Sequence, residues 1–287
     1  MMTGPGHIQA PQLWLRQRLL DERSPLERAE ADFFRQLCAF LGDCRDRGRS
    51  WHLQRWVALR DVLECCSEED EAERMAFAEY DARWPLQYVV TGEQGCVVCA
   101  LDIDGTGWRR GLRSTEELEE KRALMHSAGL HYAHIDLDGP GIGVDSVCRY
   151  IANRADMGPS EDRGGGFRRR ERLLQAREWQ LYAQALLPAA QAHGDEVFMR
   201  MRLDGVIRAD RGLRRRLAGG SFDFVIAGSS DTAIRCAVGL CGEAGAAAVR
   251  RRGESELAAA AAADAGLRLV QLGTDADAAR AEALIYA

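Results

Sequence analysis

Apolar positions recur at helical spacing from Pro25 to Leu41, and Ser24-Pro25 is a favourable helix start. The period then shortens to that of half-buried strands at Trp51 to Val57 and, far downstream, at Val197 to Leu203. Leu86 to Thr91 and Cys96 to Ile103 are apolar runs of strand length with a glycine-bearing turn between them, a hairpin pattern. Thr115 to Ser127 reads as a helix closed by Gly129, which suits the left-handed position after a helix C-terminus, and Leu130 to Leu137 reads as a strand. A short helical turn is expected near Asp61, an acidic helical insert over Ser67 to Asp81, and further helices over Val144 to Ala155 and Ala276 to Leu284. The stretch 156–170 is polar and rich in glycine, with no apolar period, and reads as a linker.

Laid on itself, the chain repeats. Cys99-Ala100-Leu101-Asp102-Ile103-Asp104-Gly105 falls on Cys236-Ala237-Val238-Gly239-Leu240-Cys241-Gly242, and Ser127-Ala128-Gly129-Leu130 falls on Asp264-Ala265-Gly266-Leu267 at the same offset of 137. Upstream, Leu86–Val90 pairs with Phe222–Ile226, Leu59–Leu63 with Leu203–Ile207, and the helix around Glu30 with the one around Glu178, all in the same order. A duplication explains this most economically. The expected organisation is a lead-in over 1–23, a first repeat over 24–155, the linker over 156–170 and a second repeat over 171–287. Each repeat runs helix, strand, strand, strand, helix, strand. The fold class is therefore α/β.

Composition narrows the class without naming a function. Forty-six per cent hydrophobic and 29% charged residues describe an ordinary globular chain, and no apolar run approaches the length of a bilayer span. No export signal is visible at the start, so a cytoplasmic protein with no membrane partner is expected. The formal net charge is −6, with the acidic excess in 1–150. Neither half is the strongly basic body of a dedicated nucleic-acid binder, so any such binding is local. Three arginine runs could supply it: Arg168-Arg169-Arg170, Arg214-Arg215-Arg216 and Arg250-Arg251-Arg252, all assigned to the second repeat. Cys96-Val-Val-Cys99 has half the spacing of a zinc knuckle, but residues three apart on a strand face opposite ways and no second pair follows. His131 and His134 are separated in the same way.

The order of elements, the Ala-Gly-Leu after the second helix and the Ile-Asp-Gly at the strand end resemble the restriction-endonuclease-like core of the PD-(D/E)xK superfamily. Within it the repeat looks like the very-short-patch-repair-related branch and uncharacterised bacterial domains near it. The resemblance implies two tandem α-β-β-β-α-β units, each a mixed sheet flanked by helices. It also implies an active site of a helix Glu, a first-strand Asp, a central-strand Glu and second acid, and a nearby His. Phosphodiester cleavage in such a site needs carboxylates converging on Mg²⁺ to activate water.

Matched position by position, the first repeat keeps Glu30, has Asp102 in the Glu position and Asp104 as the second acid, but carries Gln87 for the first-strand Asp and Trp108 for the His. Alternation puts Asp102 and Asp104 on one face of their strand. The second repeat keeps Glu178 and Asp223 but has Gly239, Cys241 and Gly245 elsewhere, too few acids to hold a catalytic metal. The candidate catalytic set is therefore Glu30, Gln87, Asp102 and Asp104, vestigial or weak, with Asp102 and Asp104 as the metal ligands. The preferred expectation is a non-catalytic, nuclease-derived protein that binds DNA, RNA or a protein, with no cofactor. The alternatives are a weak Mg²⁺-dependent nuclease acting through the first repeat, and a structural subunit of a larger assembly.

Overall fold

The computed structural model describes residues 25–66, 71–104, 115–136, 143–158, 166–207, 216–229, 233–241 and 246–287, without the side chains of 25–31, 46, 104 and 246–253. The protein is α/β and divides into two compact units, one within Leu19–Leu173 and one that includes Leu174–Ala287. The fold is a large mixed sheet flanked by helices.

The first unit runs α1 (Pro25–Asp46), β1 (His52–Val57), α2 (Leu59–Val62), β2 (Leu63–Cys65), α3 (Glu71–Arg83), β3 (Leu86–Thr91), β4 (Val97–Asp104), α4 (Thr115–Ser127), β5 (Tyr132–Asp136), α5 (Val144–Met157) and β6 (Phe167–Arg169). β3 pairs antiparallel with β1 and with β4, and β5 adds parallel to β4. A parallel neighbour needs a crossover, which α4 supplies. Alternation divides the side chains of β3 and β4 between two faces. Tyr88 faces α1, where Phe34 stacks on it with ring centroids 6.1 Å apart, and Gln87 and Asp102 face α4.

Two features depart from the periodic reading. The insert helix α3 docks through a buried ion pair, Asp81 accepting from both the backbone N–H of Arg60 (2.9 Å) and its guanidinium. Phe77 of α3 also stacks on Phe167 at 5.2 Å. And the end of the Gly-rich stretch is not a free connector: β6 pairs antiparallel with β2, and Cys96 bridges to Arg172. The boundary between the units falls at Leu173/Leu174, so Arg168, Arg169 and Arg170 belong to the first unit rather than the second.

The second unit runs α6 (Ala176–Leu181), a π turn (Tyr182–Leu186), α7 (Leu187–Ala192), β7 (Asp195–Arg202), α8 (Leu203–Val206), β8 (Ser221–Gly228), β9 (Ile234–Cys241), α9 (Ala246–Asp264), β10 (Leu269–Gly273) and α10 (Ala278–Tyr286). Pro188 explains the π turn: proline has no N–H and its ring crowds the carbonyl four residues back, so Leu187 N–H reaches Tyr182 O instead. β8 pairs antiparallel with β7 and β9, and β10 is parallel to β9.

The strands of the two units thus share one pairing pattern, and the agreement extends to irregularities. The β1–β3 ladder skips Trp56 and the β7–β8 ladder skips Arg200, both at φ 52°. A register shift follows at Val90/Thr91 and again at Ile226/Ala227. Gly129 and Gly266 end equivalent helices at φ 71° and 63°, a conformation that side-chain-bearing residues rarely adopt. Tyr182 stacks on Phe224 at 6.2 Å as Phe34 does on Tyr88.

Candidate functional site

In the first unit the hairpin brings Gln87 and Asp102 together as cross-strand neighbours. Gln87 N–H donates to Asp102 Oδ1 at 3.0 Å, and the Gln87 side-chain oxygen accepts from Ile103 N–H. Lys121, projecting from α4, donates to Asp102 Oδ2 and to Pro85 O at 2.9 Å. Tyr132 O–H on β5 donates to the same Oδ2 at 2.9 Å, and its ring lies 5.5 Å from Lys121 Nζ. The Lys121 and Asp102 side chains are 0% and 2% exposed. Both oxygens of Asp102 are therefore committed to donors of its own unit, one of them cationic. A carboxylate in that state does not fit a hydrated Mg²⁺, which needs free anionic oxygen. Glu30 lies on α1 and Asp104 on β4, opposite Asp136 of β5, but their side chains lie outside the described residues, as does Trp108.

The second unit places its acids differently. Arg200 donates through Nη2 to Glu178 Oε1 at 2.6 Å and through Nη1 to Asp223 Oδ1. Glu178 Oε2 accepts from Gln175 N–H at 2.7 Å, closing a capping box at the start of α6. Asp223 Oδ2 accepts from Leu240 N–H at 2.8 Å, the counterpart of the bond from Ile103 N–H to Gln87. Opposite Asp223, in the place of Asp102, stands Gly239, whose missing side chain is filled by Gln271.

Among the described residues no group of three or more His, Cys, Asp or Glu side chains is placed to hold a metal ion. Cys96 is exposed and Cys99 buried, its thiol pushed up to about 12 by desolvation. His131 turns to Gly158 O at 2.9 Å, half-buried.

The arginine run of the first unit bonds within its own fold. Arg168 pairs with Glu64, Arg169 donates to Val97 O at 2.7 Å, and Arg170 donates to Arg60 O at 3.0 Å and Leu63 O at 3.3 Å. These bonds help fasten β6, while the side chains of Arg168 and Arg170 stay 61% and 40% exposed. Arg216 is exposed, while Arg214 and Arg215 and the side chains of Arg250, Arg251 and Arg252 lie outside the described residues.

Sequence reasoning missed Lys121, Tyr132 and Arg200. A signal existed for the first: Lys121 is the single lysine in a chain whose other basic residues are arginines, and its counterpart at the repeat offset is Ala258. No helix among the described residues is long and apolar enough to cross a membrane. No protein-family model matches the chain, and no curated protein or solved structure matches it either.

Proposed function

We propose that the protein is a tandem restriction-endonuclease-like molecule that has left nuclease chemistry and acts by binding, with DNA, RNA or a protein as partner. The observation that carries the reading is the central-strand position: Asp102 is buried against Lys121 in the first unit, and its counterpart in the second is Gly239. Cleavage by a metal-activated water requires carboxylate oxygens open to both the ion and the phosphate. The common strand pairing, the shared skips at Trp56 and Arg200 and the matched Gly129 and Gly266 support two units of one ancestry.

The test is a cleavage assay on single- and double-stranded DNA and RNA with Mg²⁺ or Mn²⁺, wild type beside Asp102→Ala and Asp104→Ala. All substrates are expected to stay intact. Metal-dependent cleavage that disappears in both variants would establish an enzyme and end the reading. Polarisation with labelled oligonucleotides in the same buffers separates the partners, since retention of intact nucleic acid that weakens steeply with salt marks a phosphate-binding protein.

A further inference from the structure

We propose that Arg200 is the second unit's own cation, holding the place between Glu178 and Asp223 that a divalent ion would otherwise be needed to fill. Glu178 at the start of α6 and Asp223 on β8 both reach Arg200, with side chains 1% and 17% exposed. Such a pair without a positive charge between them repels itself in a medium that screens poorly. The guanidinium resolves this by bonding one oxygen of each acid, and the two remaining oxygens take the backbone N–H groups of Gln175 and Leu240. All four carboxylate oxygens have a nitrogen donor, so the donor set is closed to a metal.

The backbone is arranged for this. Arg200 sits where the β7–β8 ladder skips a residue, at φ 52°. The register is the same on both sides of the skip, so no residue is inserted, and a left-handed non-glycine residue is held there only by what surrounds it. In the first unit the same irregularity carries Trp56, and the residue opposite it is the uncharged Gln87. The cation and the strand acid are thus both present in one unit and both absent in the other. The first unit shows the converse: Asp102 and Lys121 are present together, and their counterparts Gly239 and Ala258 are both without charge.

The choice of a divalent ion as the group replaced rests on the nuclease-derived reading above, whereas the closure by Arg200 rests on the bonds themselves. The experiment keeps the two apart because it reads stability rather than cleavage. Thermal unfolding of the full chain is followed in EDTA and in millimolar Mn²⁺. Wild type is expected to melt at one temperature in both. Arg200→Ala is expected to melt lower by roughly 10 °C or more in EDTA, as a broken buried ion pair does, and to regain most of that with Mn²⁺. Asp223→Asn added to Arg200→Ala should raise the melting temperature in EDTA and abolish the Mn²⁺ response. An Arg200→Ala protein as stable as wild type, or a destabilised one indifferent to Mn²⁺, overturns the proposal. If Arg200→Ala does not fold, the neutral triple variant Glu178→Gln, Arg200→Met, Asp223→Asn decides. Recovery of a folded protein supports charge balance as the role of Arg200, and failure assigns that residue to packing and overturns it.

Discussion

His52 opens β1 with its ring buried, and desolvation, reinforced by the positive charge of Arg45, holds its pKa down to about 4. The unfolded chain takes up this proton near the ordinary value of 6.5, so between about 6.5 and 4 it binds more protons than the folded chain. Stability is therefore fully present above that window and falls as the pH drops through it, by at most about 3 kcal/mol for this group. Urea melts at neutral pH and near pH 4.5 are expected to show the loss in wild type and a smaller one in His52→Gln. Equal losses in both proteins would place the acid sensitivity elsewhere.

At the scale of elements, α10 is fastened from outside its own sequence. Arg268 donates to the carbonyls of Leu284, Ile285 (2.9 Å) and Ala287 (3.2 Å), the last turn of a helix whose terminal carbonyls have no partners within it. Tyr286 O–H reaches Asp195 at 2.9 Å and its ring stacks on His193 at 3.8 Å. Arg268→Ala is expected to cost about 1–2 kcal/mol and to speed amide exchange in Ala278–Tyr286 first; unchanged exchange there would mean the aromatic contacts suffice. Elements that bury a whole face were legible in the sequence. β3 and β4 are apolar runs flanking a glycine turn, and α4 ends on a glycine that needs a positive φ. β6 was not, because Phe167-Arg168-Arg169 offers one apolar residue in three and is held by backbone bonds and arginine side chains rather than by a buried face. The docking of α3 was equally hidden, since Arg60 and Asp81 are joined by charge across 21 positions with no periodic trace. At the candidate site, the acids were visible as letters, but whether they open to solvent depends on Lys121 and Arg200, which reach them from other elements.

For the whole molecule, the comparison between units makes a quantitative test. Lys121→Ala leaves a carboxylate buried without its cation and is expected to cost about 3–5 kcal/mol in equilibrium unfolding. Adding Asp102→Gly, so that the first unit carries the pair found in the second, is expected to return a large part of that loss despite the weaker strand residue. A double variant no more stable than the single one would show that the charges are not coupled. The same coupling limits how one arrangement becomes the other. Between a site with Asp and Lys and a site with Gly and Ala, the step that keeps Asp alone or Lys alone strands a charge in the interior. Each unit therefore occupies its own basin in sequence space, walled by sign epistasis: either state tolerates drift elsewhere, but neither is left by one substitution at a time.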